Sequence, residues 1–398
     1  MRALLALVLL LLCAVPLRAA VWIVDAAGGG TFTDLPAAVA AAAPGDTLLV
    51  RDGRYRGANI TRGLRVIASA APPVVELESP LVIRDLPANE RVLVRGVGFR
   101  SCSFGLTVLR CAGVVTIEEM RMSLFCAIFS QPSGWTSVAP NLQIVDSAQV
   151  VLRECTFPGS RTSSGMEVPG AELLRSAVWM YDVQISGVWG YTCGRQAGGL
   201  ALRATQSRLL LSGCRITGGY GSGGGACFQL DPPCYHGPGT EAFDAPGTDL
   251  WDFGSIIQGG ANGTWHACIA IPPPVYANAW RTSPRTHLRE LEALPRLAGS
   301  ALLPMGRTAS FTVELASAHP QVLFVGFTPA RLELPGLAGT LWLDPFHAFP
   351  IGITSANLGT ATISFPVEND PLALGWELYF QAVDIRGRFG APTSGVLQ

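Results

Sequence analysis

Four ionisable residues that could support catalysis lie between residues 218 and 270, a stretch rich in glycine and proline. They are His236, Asp249, Asp252 and His266. A histidine beside a carboxylate can act as general acid and base, and the pair can also hold a metal ion. Their spacing matches no catalytic template, and polar turn residues of a long loop explain them equally well. The sequence therefore leaves both interpretations open.

The same stretch holds aromatic and cysteine residues that suit a binding loop. Its aromatic candidates for a ligand are Tyr220, Tyr235, Trp251 and Trp265. Such rings stack on sugar faces or pack over a hydrophobic surface. Cys227 and Cys234 are the cysteines most suited to a disulfide. Because the stretch is rich in glycine and proline, we predict a long lateral loop over residues 218–270. Long loops on rigid scaffolds often carry function.

A recurring apolar pattern predicts the scaffold that must position these residues. Its copies begin at residues 92, 115, 150, 178 and 209, and each reads as a strand, a tight turn and a second strand. A period in this range is typical of supersecondary units that stack on their neighbours. A further strand is expected before each of the last four copies, at 106–109, 142–145, 172–175 and 200–203. Stacking places equivalent positions of successive copies in columns.

One such column carries carboxylates, at Glu119, Glu154 and Asp182. Like charges about 5 Å apart repel each other unless a cation such as calcium bridges them or solvent screens them. The alternative is a solvated turn edge compensated by the nearby Arg95, Arg121 and Arg153. We favour the solvated edge, and calcium is the one metal that this pattern raises. Cys155 and Cys214 share the next slot, which indicates buried apolar cysteines.

Residues 28–56 resemble the N-terminal cap of known proteins. Asp34 is a suitable N-cap, an alanine-rich helix follows, and Pro44-Gly45 ends it before a first strand at 48–51. Together with the repeats, this segment resembles right-handed parallel β-helix proteins of the pectate-lyase-like group, over about residues 22–270. The resemblance implies three strands per coil and a small helix that covers the open end of the coil. The predicted fold class is all-β, with this β-helix at residues 20–270.

The resemblance also implies where an active site would lie. Enzymes of that group work along the outward side of the first strand, with calcium-binding aspartates and an arginine in lyases, or with paired aspartates in hydrolases. That face offers one carboxylate and one arginine here, Glu172 and Arg203, on neighbouring coils. The hydrolase motifs are absent, and the Trp179 to Asp182 segment lacks the histidine that follows a similar lyase motif.

The N-terminal residues predict export, and the C-terminal residues predict a second domain. Residues 1–19 read as a signal peptide, which predicts a secreted or cell-surface bacterial protein. Residues 271–299 read as a linker with a short helix at 288–297, and residues 300–398 as an antiparallel β-sandwich. This layout resembles the C-terminal sandwich modules of some exported proteins. The resemblance implies an accessory or surface-attachment role.

Composition narrows the partners. The net charge is −1, with no basic tract, which argues against nucleic acid as a partner. All 28 basic residues are arginine, so no lysine can form a Schiff base. No later segment has the length and apolarity of a membrane-spanning helix.

Taken together, these features predict a non-catalytic protein that binds extracellular polysaccharide or cell-surface glycan through the loop and the flanks of the coil. One alternative is a polysaccharide lyase or glycoside hydrolase with its active residues in the 218–270 loop. A structural surface spacer is the other.

Overall fold

The computed structural model describes most of the chain. The described residues are 19–69, 75–100, 105–122, 140–161, 167–188, 197–221, 238–261, 275–290, 292–299, 302–315, 319–334, 337–354, 359–370, 373 and 376–397. Residues 1–18, which belong to the predicted signal peptide, lie outside them, so that assignment stays a prediction. Within the described part, the chain is all-β apart from one helix.

The described strands between residues 21 and 290 build three long parallel sheets, here called A, B and C, which the chain visits in turn. Sheet A contains, in stacking order, Val21–Val24, Thr47–Val50, Arg65–Ala68, Arg91–Arg95, Val114–Glu118, Gln149–Arg153, Ala177–Tyr181, Arg208–Ser212, Asp249–Phe253 and Thr286–Glu290. Each passage through the three sheets is one coil. This arrangement is consistent with the predicted parallel β-helix.

The other two sheets each contain eight described strands. Sheet B contains Gly53–Tyr55, Val75–Leu77, Val97–Phe99, Arg121–Met122, Thr156–Pro158, Gln184–Ser186, Arg215–Thr217 and Ile256–Gln258. Sheet C contains Asn59–Ile60, Leu81–Arg84, Leu106–Leu109, Leu142–Val145, Ala171–Leu174, Leu202–Thr205, Phe243–Asp244 and Trp280–Thr282. A short hairpin of Ser160–Arg161 and Glu167–Val168 extends from one coil.

The apolar repeat sets the register of sheet A. Val115 lies opposite Val92 on one side and Val150 on the other, and Val178 continues the row to Leu209. Their side chains point inward and form one continuous core with the inward residues of sheets B and C. The buried Cys155 and Cys214 belong to that core, as predicted.

The predicted cap helix is confirmed at Leu35–Ala41. Asp34 is its N-cap and accepts a hydrogen bond from the Leu35 N–H. The helix buries Leu35, Ala38 and Val39 against the first coil, which shields the core at that end. An additional strand, Val21–Val24, pairs with Thr47–Val50 and was not predicted.

The second half of the predicted 218–270 loop is instead an ordinary coil. Phe243–Asp244, Asp249–Phe253 and Ile256–Gln258 each join one of the three sheets. The pattern is hidden because Asp252 occupies an inward slot that holds Leu211 in the preceding coil. In the next coil Arg289 lies opposite Asp252, and their side chains form an ion pair at 3.6 Å.

The stack also continues beyond the predicted boundary at residue 270. Trp280–Thr282 and Thr286–Glu290 pair with the preceding coil. The short helix predicted at 288–297 is wrong, because its described residues include the end of one strand and the start of another, Arg296–Gly299. Polar inward residues such as His287 and Arg289 gave this last coil the sequence pattern of a linker.

The C-terminal residues form two sheets that share a hydrophobic core, here called the C-terminal sheets. One contains Arg296–Gly299, Thr308–Leu315 and Gly359–Pro366, all antiparallel. The other contains Leu302–Leu303, Phe389–Leu397, Glu377–Asp384, Gln321–Gly326 and Ala348–Ile353, mostly antiparallel. A two-stranded ribbon of Pro329–Leu332 and Leu341–Leu343 accompanies them. The predicted antiparallel C-terminal region is thus present.

Candidate functional site

The outer face of sheet A is covered by the C-terminal sheets. Its central row of outward residues runs, coil by coil, through Arg65, Leu93, Thr116, Val151, Trp179, Leu210, Trp251 and Leu288. Such apolar residues on the outside of a coil require a cover. Leu93 packs with Val396, and Val151, Trp179 and Leu210 pack with Leu294 and Trp342.

Trp179 is the centre of this contact and is 5% exposed. Its ring meets that of Trp342 edge to face at 5.2 Å between centroids, and its Nε1–H donates to the Thr340 hydroxyl at 3.0 Å. The guanidinium of Arg331 lies 4.2 Å from the Trp179 ring centroid. Aromatic packing and a cation–π contact therefore hold the two parts together at one point.

Buried charges form a second contact. Glu118 and Arg153 are each 1% exposed, and their side chains approach to 3.4 Å. Arg153 donates to the Leu297 carbonyl at 2.6 Å, and Arg95 donates to the Gly299 carbonyl at 2.8 Å. The first strand of the C-terminal sheets is thereby tied to sheet A. Removing either charge of such a buried pair strongly destabilises a protein, because the other charge is left buried without a partner.

On one side of the Trp179 contact the two parts leave a cavity of about 650 Å³, here called the wide cleft. It crosses four successive strands of sheet A, from the strand of Arg65 to that of Val151. It is covered by Pro329–Arg331, Trp342, Tyr379 and Pro392–Ser394. Since neighbouring strands lie about 4.8 Å apart, the cleft is an elongated channel along the stacking axis.

The wide cleft is lined by rings and planar polar groups. Arg65 pairs with Glu377 at 2.8 Å, and Glu377 also accepts from the Tyr379 hydroxyl. Burial and this neighbouring carboxylate raise the pKa of Tyr379, so its hydroxyl stays protonated. Gln149 lines the floor, and the buried Thr393 lines the opposite wall.

On the other side of the Trp179 contact lies a second cavity of about 430 Å³, the narrow cleft. Trp251 lines it, with the Arg208 guanidinium 5.6 Å from its ring centroid. Glu333 pairs with Arg208 at 3.1 Å and with Arg331 at 2.7 Å, which closes the cleft across its polar rim. Trp251, predicted as a ligand-binding residue, therefore lies in a cavity between the two parts.

The column of Glu119, Glu154 and Asp182 is placed as predicted, in one turn slot where all three residues have positive φ. Its cations are arginines. Arg95 lies 2.7 Å from Glu119, and Arg296 lies 3.3 Å from Glu154 and 3.2 Å from Asp182. Burial raises the pKa of Asp182 to about 6.

The expected compensation by arginine is therefore present, but the edge is not the solvated one that we favoured, because residues of the C-terminal sheets cover part of it. Of the three arginines expected there, Arg95 and Arg153 contribute, and Arg121 is exposed on sheet B. Within the described ranges, no group of three or more histidine, cysteine or acidic side chains could hold a metal ion.

The structure does not bring the predicted catalytic aspartates together. Asp249 points outward and pairs with Arg285, whose hydrogen bonds hold the pKa of that carboxyl below its usual range. Asp252 points inward, is 1% exposed, and faces Arg289 and His287 in the next coil. Strand alternation separates the two carboxylates, because residues three apart lie on opposite faces.

Some of the other predicted residues are described by the structure, and the rest are not. Glu172 and Arg203 lie opposite each other on sheet C at 3.5 Å, and Asp244 pairs with the same arginine at 3.7 Å. Tyr220 is 40% exposed. The remaining ones lie outside the described residues, so their predicted roles stay predictions: His236, His266, Tyr235, Trp265, Cys227 and Cys234.

Sequence reasoning missed the clefts, although one signal was present. Outward and inward positions are both apolar in Val92–Val94, Val150–Leu152 and Leu209–Leu211. Continuous apolar strands of this kind are buried on both faces. Trp179 at an outward slot carried the same information.

No protein-family model, curated protein or solved structure matches this chain. In the described part of the chain, no helix has the length and apolarity needed to cross a membrane.

Proposed function

We propose that this is an exported, non-catalytic protein that binds extracellular polysaccharide or cell-surface glycan in the wide and narrow clefts. One observation carries the proposal: the two clefts follow the same face of sheet A, one after the other, along the stacking axis. A glycan segment lying in either cleft, on one side of the closed Trp179 contact, would meet an equivalent strand every ~4.8 Å. A linear glycan fits such a channel.

The chemistry of the lining supports a sugar ligand. Sugar rings present an apolar face and a rim of hydroxyls, so they are bound by aromatic rings together with fixed polar groups. Trp251 in the narrow cleft and Trp342 and Tyr379 in the wide cleft supply the rings. Arginine, glutamine and hydroxyl side chains from both walls supply donors and acceptors.

Four finer statements belong to the same proposal. The coil is right-handed, since about 98% of parallel crossover connections have that hand. The signal-like residues 1–19 direct export, and the C-terminal sheets act as an accessory module that completes the binding face. The likeness to the pectate-lyase-like group is a likeness of scaffold, without the catalytic residues of that group on sheet C.

The test is retention of the protein by soluble polysaccharides in affinity electrophoresis, together with an assay for released sugar ends. We expect retention without release. Trp251→Ala should weaken retention, whereas Tyr220→Ala, outside both clefts, should not. Retention that depends on Tyr220 and not on Trp251 would place binding in the loop region. Release of sugar that requires His236 or His266 would overturn the non-catalytic proposal in favour of a lyase or hydrolase, and no retention would favour a structural spacer.

A further inference from the structure

The charges that line the wide cleft are balanced. Its cations are Arg65, Arg91 and Arg331, and its anions are Glu90, Glu118 and Glu377. Most of them are already engaged: Arg65 with Glu377, Arg331 with Glu333, and Glu118 with the buried Arg153. The cleft therefore has little net charge to offer a ligand.

Arg91 differs from these charged residues because, in the described part of the chain, it is not paired with a carboxylate. Within the described residues it forms no ion pair, and its recorded contacts are a hydrogen bond to the Pro329 carbonyl at 3.3 Å and a position 5.7 Å from the Tyr379 ring centroid. A guanidinium has five N–H donors in a fixed fork. Several of these donors are therefore available in the cleft.

A carboxylate stands next to this arginine in the chain. The Glu90 side chain also lines the cleft and accepts a hydrogen bond from the Gly63 N–H, which leaves its second oxygen as an acceptor. Arg91 and Glu90 therefore place a positively charged donor next to a negatively charged acceptor in the cleft. An anionic group attracted by Arg91 would be repelled by Glu90.

The wall opposite contains a buried polar group without a partner. Thr393 is 3% exposed, and its hydroxyl has no hydrogen-bond partner in the described protein. Leaving such a hydroxyl unsatisfied is costly, and Thr393 is among the residues that line the cleft. Gln149 and Ser394 add neutral donors and acceptors nearby.

We propose, on the basis of the proposed function, that the wide cleft binds an uncharged stretch of glycan and selects against uronic-acid or sulfated chains. The forked donors of Arg91 hydrogen-bond to two adjacent hydroxyl oxygens of a pyranose, and Glu90 accepts from a hydroxyl. Tyr379 and Trp342 contact the ring faces. Arg91 thus acts as a directional donor rather than as a charge.

The test compares neutral and uronate oligosaccharides of the same linkage by calorimetry at about 0.05 and about 0.5 M salt. Neutral chains should bind, with a Kd that salt changes less than about twofold, because no net charge is neutralised. Arg91→Lys should weaken binding about tenfold, as Arg91→Gln does, since the fork is lost in both. Arg110→Lys on the outside of the coil is the control.

Tighter binding of uronate chains, steep weakening by salt, and retention of affinity in Arg91→Lys would overturn this inference while leaving polysaccharide binding intact. If the wild-type protein retains neither set and no other polysaccharide, the proposed function itself fails. Unfolding midpoints equal to wild type would show that the exposed Arg91 variants are folded, so a loss of affinity can be assigned to the cleft.

Discussion

At the residue scale, the structure is shaped by arginines that meet buried carboxylates. The network of Glu118, Arg153 and Arg95 joins two parts of the chain that are far apart in sequence. The absence of lysine fits this use, because a planar guanidinium can bind a carboxylate and a backbone carbonyl at once. These arginines hold the walls of the wide cleft in place.

Asp182 makes stability depend on pH. Burial raises its pKa in the folded protein to about 6, above the ordinary value of 3.8. The folded state therefore binds a proton more readily than the unfolded state, and this carboxyl adds stability as the pH falls through about 6 towards 4.

We expect the stability difference between wild type and Asp182→Asn to shift in favour of wild type over that window, as measured by urea unfolding at a series of pH values. The comparison cancels the other acids of the chain. A difference that stays constant from pH 7 to pH 4 would contradict the burial of Asp182 beside Arg296.

Single residues also explain what the sequence could and could not reveal. The column of Glu119, Glu154 and Asp182 followed from the repeat, and so did the burial of Cys155 and Cys214. The partner of the column, Arg296, could not be predicted, because it comes from the C-terminal sheets. Asp252 hid a whole coil, since an inward aspartate is acceptable only beside Arg289 and His287.

At the element scale, six successive coils turn between sheets C and A at a residue with positive φ. The slot is filled by Asp85, Arg110, Asp146, Arg175, Gln206 and Gly247. Glycine adopts this conformation without strain, whereas a β-branched residue does not. The stack therefore accepts residues other than glycine in this slot, but they adopt the positive φ at a cost in free energy.

Gln206, at φ 49° and exposed, is a suitable position to test this slot. Gln206→Gly should match or exceed the wild-type stability, as in the next coil, where Gly247 fills the slot. Gln206→Val should lower the free energy of unfolding by about 1–2 kcal/mol. Urea unfolding checks both variants, and a valine variant as stable as the glycine variant would contradict the backbone conformation.

The strands of the coil were predictable because their register follows directly from aligned apolar residues such as Val115 and Val150. The first strands were placed to within two residues, for example at Leu202–Thr205 rather than 200–203. The end of the stack was not predictable. Its last strand, Thr286–Glu290, is exposed and polar, and it is held by backbone pairing that leaves no apolar signature.

At the scale of the whole molecule, the C-terminal sheets and the stack act as one structure joined at Trp179. Trp179→Ala should lower the free energy of unfolding by about 3 kcal/mol, because it removes a buried ring packed against Trp342 and Arg331. Chemical denaturation measures the effect. The control, Trp376→Ala, removes a ring that is 52% exposed, and its effect should be much smaller. Equal effects would contradict the contact between the two parts.

The clefts exist only because these two parts meet, which is why no local pattern in the sequence could predict them. The apolar outward residues of sheet A could have indicated that a cover exists. They could not indicate its shape, since cavities arise where the cover and the coil fail to touch. The predicted function survives as a proposal, but its location moves from the loop to this boundary.

The most direct test of polysaccharide binding in the clefts uses two matched glutamines. Gln149 lines the wide cleft on sheet A, and Gln143 lies half-buried on the outer face of sheet C. Titration of a retained polysaccharide against wild type, Gln149→Ala and Gln143→Ala should show about tenfold weaker binding for Gln149→Ala alone. Weakening by Gln143→Ala, with Gln149→Ala unchanged, would contradict the account and place the ligand on sheet C.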